Sequence, residues 1–424
     1  LMMVTIHEFG HYVAGKILGF KINEFSIGFG PSLYSRKCKS GEIFSIRLCP
    51  LGGYCAFEGE EGGSESSGAF LKQKPWKRII VLFNGAFFNF ISAIIFSFIM
   101  LVSVGYDVPQ VYTVDPVVRV DSAVYVDATD GYTTKDFVFE QGDLIVKIGE
   151  KSYDNGLSLS QVGSALVDVT NTLPNGSGYQ YTIEVKRDNK VLGIKPIIYC
   201  TKQSNLLTGD DALQKGDVIW KVNGTNVDFI KDNFFNSLVS RVAESSDSIE
   251  LTITRNGEEK VITMDLLQSG IKDSEGNYAK QMGVKSSAYK FSFGESLARC
   301  VPYTFGFSWQ VLKSLGTLVT GGLGINDVGG PIYTIGTIAN LSSQSWGYFL
   351  TLLPLIAANL AVFNWLPIPA LDGSKILLTT IEWIIGRPLF KQKTENLIHS
   401  IGFFLLLALV FFADFYHIFV AIFR

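Results

Sequence analysis

The stretch IIVLFNGAFFNFISAIIFSFIMLVSV, residues 79–104, contains no charged side chain and decides the class of fold. Crossing the hydrocarbon core of a bilayer takes about 20 predominantly apolar helical residues, and this run exceeds that length. The chain of 424 residues is 47% hydrophobic and 13% aromatic, which is more apolar than an ordinary soluble protein. Together these features predict a multi-pass α-helical membrane protein whose surroundings are a lipid bilayer.

About four spans are predicted by the same criterion. The first covers residues 1–20, the second 79–104, the third 346–374 and the fourth 397–421. Only six residues precede His7 in the first of them, so we expect the sequence to lack the beginning of that span. The region 289–345 is predicted as an amphipathic linker, and its glycine-rich part, residues 321–333, as a loop.

Lysine and arginine residues indicate how the spans are oriented. They are frequent in the connection 21–78, and the short connection before the last span, which includes Lys391 and Lys393, is basic too. Because basic loops tend to stay on the cytoplasmic side, we expect both connections there and the segment from about 105 to 290 on the other side. A net charge of −3, without a basic run carrying interleaved aromatic residues, argues against a nucleic-acid partner.

The segment between the second and third spans contains an internal repeat. QGDLIVKIGEK at 141–151 is echoed by KGDVIWKVNGT at 215–225, and YTIEVKRDNK at 181–190 by LTITRNGEEK at 251–260. Each copy predicts a strand after a Gly-Asp turn, a helix and a β-hairpin, an order that resembles bacterial PDZ domains. We predict two inserted extracytoplasmic PDZ-like α+β domains, at 112–200 and 201–288. The small-residue turn usual before the Gly-Asp strand is missing from both copies, so two small β-domains serving only as a rigid cap are an equal alternative.

The sequence HEFGH at residues 7–11 provides the candidate chemistry. On a helix, His7 and His11 lie one turn apart on the same face, where two imidazole nitrogens can share a tetrahedral Zn²⁺. Glu8 then lies beside the metal, where its carboxylate can take a proton from zinc-bound water. The alternative is a pair of core histidines beside a capped glutamate, but such groups are costly inside an apolar helix unless they are functional.

A zinc ion held by two histidines needs at least one further protein ligand, with one position left for water. The candidates near the membrane are His399, His417, Asp372, Glu395 and Asp414. Asp372 is favoured because it follows NWLPIP, whose prolines Pro367 and Pro369 cannot continue a regular helix. Irregular backbone at membrane depth is tolerated where it lines a protected polar site, so the Asp372 carboxylate can turn toward a cavity.

HEFGH at 7–11 together with NWLPIPALDG at 364–373 resembles the paired signature of the site-2 protease family of intramembrane zinc metalloproteases. The tandem PDZ-like insert and KPWKRIIVLFNGAFFN, at 74–89, resemble the branch of that family that carries two PDZ domains. The resemblance implies one Zn²⁺ per chain held by His7, His11 and Asp372. It implies that Glu8 is the catalytic acid and base, and that Asn364 helps to hold the substrate or the oxyanion.

The loop FSIGFGPSLYSRKCKSGEIFSIRLCPLGGY, residues 25–54, alternates in two segments around Lys39-Ser40-Gly41 and predicts a β-hairpin in the cytoplasmic-side region 21–78. In the family the corresponding loop dips toward the active site, which implies that an extended edge pairs with an unwound substrate helix. Gly28 and Gly30 would permit close backbone approach there. A hairpin that only seals the helical bundle is an equal alternative.

These features predict an intramembrane zinc endopeptidase of the bacterial inner membrane. Its partners would be single-span membrane proteins, such as an anti-sigma factor or signal-peptide remnants, cleaved in regulated intramembrane proteolysis after a first extracytoplasmic cut. The PDZ-like pair would act as a size filter. One rival interpretation is a membrane-anchored zinc protease that cuts soluble loops. Another is a membrane adaptor with PDZ-like binding modules and a structural zinc site, although that site would not need the base Glu8.

Overall fold

The computed structural model describes most of the chain. The residues described are 1–60, 64, 66–106, 108–114, 117–122, 124–126, 135–137, 139–140, 142–157, 159–170, 178–188, 190–201, 211–227, 238–272, 276–320, 336, 339 and 346–423. They form two compact units, a helical unit of residues 1–105 with 290–424, and an insert unit of residues 106–289. The glycine-rich loop predicted at 321–333 lies outside the described residues.

Eight helices longer than one turn are found among the described residues. They are α1 (Met2–Leu18), α2 (Pro75–Ser103), α3 (Leu159–Thr170), α4 (Leu238–Glu244), α5 (Phe293–Val319), α6 (Trp346–Trp365), α7 (Asp372–Ile385) and α8 (Gln392–Phe423). Two of them, α2 and α6, are long and apolar enough to cross a membrane. This agrees with a membrane protein that also carries β-structure, while the count of four spans stays a prediction.

The described strands are numbered in chain order. They are β1 (Ile22–Lys37), β2 (Ile43–Phe57), β3 (Pro109–Val114), β4 (Val117–Ser122), β5 (Val124–Val126), β6 (Lys135–Asp136), β7 (Leu144–Ile148), β8 (Lys151–Leu157), β9 (Gly178–Gln180), β10 (Ile183–Arg187), β11 (Lys190–Ile194), β12 (Ile197–Thr201), β13 (Val218–Val222), β14 (Thr225–Asn226), β15 (Ser248–Arg255), β16 (Glu258–Asp265), β17 (Leu267–Ile271), β18 (Ala279–Gln281) and β19 (Val284–Ala288).

The predicted hairpin in the helical unit is present as β1 and β2, and each of these strands pairs twice. The end of β1 pairs with the start of β2, from Lys37 opposite Ile43 to Ser32 opposite Arg47. The start of β1 lies between the two halves of β2, because Glu24 has partners at both positions 43 and 56. The strand order is therefore 32–37, 43–47, 22–27 and 53–57. The pairing is antiparallel except between 43–47 and 22–27, whose partners rise together from Glu24 opposite Ile43 to Ile27 opposite Ile46. Among the described residues, segment 53–57 forms one edge.

Glu42, just before β2, attaches this hairpin to α1. The residue is 3% exposed, and its carboxylate forms an ion pair with Lys16 at 2.8 Å. The hydroxyls of Tyr12 and Ser40 donate to the same carboxylate at 3.0 and 2.9 Å. Burial alone would raise the pKa of Glu42, but the hydrogen bonds from Lys16, the backbone, Ser40 and Tyr12 lower that pKa to about 2. The ionised carboxylate therefore stabilises the folded hairpin.

The predicted break after NWLPIP separates two helices. Helix α6 ends at Trp365 and α7 begins at Asp372, with Leu371 extended at its N-cap position. The two prolines lie in this break, as their missing N–H groups require. Asp372 thereby becomes the first residue of a helix, where the backbone dipole favours a negative side chain.

The described part of the insert unit contains three sheets, and the internal repeat is visible in its side-chain contacts. In the first copy Arg187 forms a two-bond pair with Asp143, and in the second Arg255 forms the same pair with Asp217. Strand order is β6-β5-β11-β10-β7-β8 in one sheet, β18-β17-β4-β12-β9 in the next and β16-β15-β13-β3-β19 in the third, where β14 also pairs with β13. Each predicted half thus exchanges a strand with the other. β3 joins the sheet of the second copy, while β17 pairs in parallel with β4 of the first. The assignment of PDZ domains and their boundaries stays a prediction.

Candidate zinc centre

Helix α1 presents its two motif histidines toward one point. The Nε2 atoms of His7 and His11 are 3.2 Å apart, as the one-turn spacing requires. Asp372, at the start of α7, adds its carboxylate from a distant part of the sequence. Its Oδ2 atom lies 3.0 Å from His7 Nε2 and 3.2 Å from His11 Nε2. Three side chains from two segments that lie more than 350 positions apart in the sequence therefore converge.

The geometry of these three atoms fits zinc. They form a nearly equilateral triangle with sides of 3.0 to 3.2 Å. Ligand bonds of about 2.0–2.1 Å in tetrahedral coordination place neighbouring ligand atoms roughly 3.3 Å apart. Two imidazole nitrogens and one carboxylate oxygen also form a usual donor set for catalytic zinc, with the fourth position left for water. The Oδ2 atom of Asp372 is buried and makes no hydrogen bond in the described structure.

Both histidines contact a second polar group that fixes the ring. The Nδ1 atom of buried His11 donates to the carbonyl oxygen of Val81 at 2.8 Å, which leaves Nε2 free to bind metal. The Nδ1 atom of His7 lies 3.4 Å from the side-chain amide of Asn89. A metal on Nε2 leaves the hydrogen on Nδ1, so the amide oxygen of Asn89 must face it. That orientation also gives a partner to the Asn89 Oδ1 atom, which otherwise has none among the described residues.

Glu8 is placed by the edge of the hairpin. Its Oε2 atom accepts a hydrogen bond of 3.0 Å from the backbone N–H of Cys55, in the edge segment 53–57. Glu8 is next to His7 in the sequence and lines the same two cavities as His7 and Asp372, so its carboxylate lies within the site. A carboxylate held beside a metal is suited to proton transfer.

Two cavities of different character meet at this centre, and His7, Glu8 and Asp372 line both. The first, of about 820 Å³, is rich in polar side chains: Glu60, Arg78, Lys375, Gln392, Glu395, Asn396, His399 and Ser400. The second, of about 570 Å³, is mainly apolar, with Val4, Leu360, Leu371, Phe403, Leu406 and Leu407 in its wall. One side of the centre is therefore suited to water and the other to an apolar chain.

The structure places the other predicted residues as follows. Asn364 lines the mainly apolar cavity together with Asp372 and Glu8. Gly28 and Gly30, with φ angles of 90° and 84°, lie in β1 and line neither cavity.

The remaining candidates for the third ligand differ in position. Glu395 and His399 line the polar cavity without joining the converging group. Asp414 is buried on α8 and lines neither cavity, and the side chain of His417 lies outside the described residues.

Three features of the site have no counterpart in the sequence predictions. They are Asn89, the carbonyl group of Val81 and the close approach of Gly85 to both histidine rings. The run NGAFFN, residues 84–89, contains a signal for Asn89 in the sequence. A polar side chain inside an uncharged span usually faces the interior of the helical bundle and takes part in a functional site.

The apolar helices and the zinc-fitting centre with its adjacent glutamate define the class of protein, a membrane-associated zinc metalloprotease. The chain belongs to Peptidase family M50, the site-2 protease family, whose sequence profile matches residues 1–409.

Curated relatives extend along nearly the whole chain. A regulator of sigma E protease from Haemophilus influenzae is 29% identical, over 98% of this chain and 95% of its own length. A Vibrio cholerae protein named as a zinc metalloprotease is 28% identical, over 98% and 96%. The regulator of sigma-E protease RseP from Escherichia coli is 28% identical, over 96% and 94%. The cofactor of this protein is accordingly Zn²⁺.

Proposed function

We propose that the protein is an intramembrane endopeptidase that cleaves single-span membrane proteins within or next to the bilayer. The observation that carries this proposal is the position of the zinc centre between a polar cavity and a mainly apolar one. In a chain with helices apolar enough to cross a membrane, a mainly apolar cavity beside the metal suits a substrate segment that comes from the bilayer. The names of the relatives support a role in regulated proteolysis. The candidate substrates of this proposal are an anti-sigma factor or signal-peptide remnants.

In this proposal His7, His11 and Asp372 would hold the zinc ion. When bound there, the ion would supply polarisation of a peptide carbonyl and a lowered pKa for water. Glu8 accepts the proton of the attacking water and later delivers it to the leaving amine. The Cys55 N–H group holds the Glu8 carboxylate in place for both transfers. The Asn364 amide, which lines the same cavity as Glu8, binds the substrate carbonyl.

The substrate must be unwound locally before cleavage, because the carbonyl groups of an intact helix are engaged in hydrogen bonds. The edge segment 53–57 is suited to bind the unwound substrate. It has a partner strand on one side among the described residues, and its Cys55 contacts Glu8. An extended substrate segment can add to that edge as a further strand. Substrates with glycine or proline near the cleaved bond should be preferred.

The test of the activity is a cleavage assay with purified enzyme in detergent or liposomes. The substrates are single-span membrane proteins already shortened outside the membrane, with and without a zinc chelator, and the control enzyme is Glu8→Gln. Chelator-sensitive cleavage at a bond inside the span is expected. Cleavage confined to soluble loops would support the membrane-anchored zinc protease, and binding without cleavage would support the adaptor.

We further propose that the insert unit limits which substrates enter and faces the extracytoplasmic side of the bacterial inner membrane. Residues 106–289 fold as a compact unit of their own, inserted in the sequence between α2 and α5. A folded insert can exclude bulky ectodomains and admit trimmed substrates, which is selection against the wrong partner. No peptide-binding groove is needed for this role.

The ends of the insert unit make a sharp test possible. Pro109 is paired with Ala288, and the Tyr289 N–H group donates to the Val108 carbonyl at 2.7 Å. A short glycine-serine linker can therefore replace residues 109–288 without stretching the flanking chain. The shortened enzyme should cleave full-length substrate without prior trimming. If it remains zinc-loaded yet still rejects the full-length form, the size filter is wrong and recruitment by the insert is the better explanation.

A further inference from the structure

Helix α8 packs directly on the turn that leads to Asp372. The backbone N–H of Ala370 donates to Nδ1 of His399 at 3.2 Å. One turn further along α8, a Cβ atom added at Gly402 would lie 2.4 Å from Cβ of Pro369 and 2.9 Å from its carbonyl oxygen. His399 and Gly402, on one face of α8, thus pack against two consecutive residues of the turn, Ala370 and Pro369.

The turn needs such contacts because its backbone is strained. Ala370 has a φ angle of 85°, in the left-handed region that a side chain disfavours. A residue is found there when its surroundings fix it. The adjoining Ser374 donates to the Leu371 carbonyl at 2.8 Å, and its Oγ atom lies 3.5 Å from His399 Nδ1. The imidazole therefore lies near the chain both before Leu371 and Asp372, at Ala370, and after them, at Ser374.

The direction of the hydrogen bond determines the form of the His399 ring. Since Nδ1 accepts from the Ala370 N–H group, it carries no hydrogen, and the neutral ring has its hydrogen on Nε2. That Nε2 atom is buried and has no partner among the described residues. His399 lines the polar cavity but is not part of the converging group of metal-binding atoms.

We propose that His399 is a positioning residue, which holds the Ala370 turn through Nδ1 and so fixes the Asp372 carboxylate at the zinc centre. This inference rests on the proposed role of Asp372 as a zinc ligand. It predicts that the acceptor at the position of Nδ1 is required, whereas the imidazole as such is not.

The test compares His399→Leu, which removes the acceptor, with His399→Asn, whose Oδ1 atom can replace Nδ1. His399→Gln places its polar end nearer the position of Nε2. The exposed Leu397→Ala on the same helix is the matched control. We measure zinc affinity by competition with a chelator, and the visible absorption of the Co²⁺-loaded protein, which reports the ligand set and geometry.

His399→Leu should weaken zinc binding by about 10- to 100-fold and change the Co²⁺ absorption. His399→Asn should remain within roughly threefold of the parent protein, and Leu397→Ala should match it. If His399→Leu keeps the parent affinity and absorption, or if the Asn variant fails as badly as the Leu variant, the inference is wrong. If the Leu variant does not fold, the comparison of His399→Asn with His399→Gln tests the inference. The Asn variant should then bind zinc more tightly than the Gln variant, and equal zinc affinities would count against the inference.

An Asp372→Ala variant separates the two proposals. If it retains the zinc affinity of the parent, the ligand assignment itself is wrong. If it loses zinc while His399→Leu does not, only the positioning role is refuted.

Discussion

The packing of Gly85 in α2 against the zinc centre can be tested by a single added methyl group. Gly85 lies on α2 opposite the two motif histidines. A Cβ atom at this position would be 2.3 Å from Nε2 and 2.4 Å from Cε1 of His11, and 2.8 Å from Cε1 of His7. The Gly85→Ala substitution therefore directs its methyl group at the atom of His11 that is proposed to bind zinc.

The size of the effect follows from these distances. Unstrained contacts between heavy atoms lie at about 3.5–4.0 Å, so ring and helix must separate by roughly 1.2 Å or more. The His11 ring cannot simply rotate away, because it is buried and donates to the Val81 carbonyl at 2.8 Å. Metal–ligand distances vary by only about 0.2 Å, so this shift disrupts coordination. Overpacking costs about 1–3 kcal/mol. If that cost falls on metal binding, zinc affinity decreases roughly 5- to 150-fold.

The assay measures bound zinc per chain and zinc affinity for purified Gly85→Ala in detergent, with thermal unfolding recorded alongside. The matched control is Gly316→Ala in α5, where an added Cβ meets no heavy atom within 4 Å of it. The control should bind zinc like the parent protein. A Gly85→Ala protein with undiminished zinc affinity and full cleavage activity would refute the proposed packing of α2 on the metal site.

Four further predictions concern the site and the hairpin. Glu8→Gln should abolish cleavage while about one zinc per chain remains by metal analysis; retained turnover would exclude Glu8 as the base. Asp372→Ala should greatly weaken zinc affinity, and Asp414→Ala should not; the reverse order would identify a different third ligand. Asn89→Leu should weaken zinc affinity about 10- to 100-fold without unfolding the protein, and an unchanged affinity would remove Asn89 from the site. Glu42→Gln should lower thermal stability at pH 7. The folded-state pKa of Glu42 is lowered from 4.5 to about 2, so the loss of stability relative to the parent protein should shrink as the pH falls through that interval. A loss of stability that does not change with pH would contradict this prediction.

Several elements could be predicted from local sequence because their cause is local. The spacing of His7 and His11 places both rings on one helical face, and only helical periodicity is needed for that inference. The two prolines before Asp372, two positions apart, strongly disfavour a regular helix through this segment, because each lacks an N–H group and clashes with the preceding turn. Alternation around Lys39-Ser40-Gly41 was sufficient to predict the hairpin, which the strand pairing confirms.

Other features depended on contacts between distant segments. The second pairing of β1 with β2 brings segment 53–57 to the edge beside Glu8, and no alternation pattern specifies which strand becomes an edge. The exchange of β3 and β17 between the two copies of the repeat could not be predicted from the sequence either. The pattern of each copy predicts a complete domain and gives no sign that a strand pairs with the other copy.

The sequence by itself determined the class of protein, the HEFGH helix and the residue types available for the metal, because periodicity, charge and proline act over a few neighbouring positions. Only the tertiary structure brought the atoms of His7, His11 and Asp372 to within 3.2 Å of one another. The same holds for Gly85 against the rings and for His399 under the Ala370 turn. Such contacts depend on how the helices pack. Close packing brings together residues that are far apart in the sequence, and their positions in the sequence do not indicate that they are in contact.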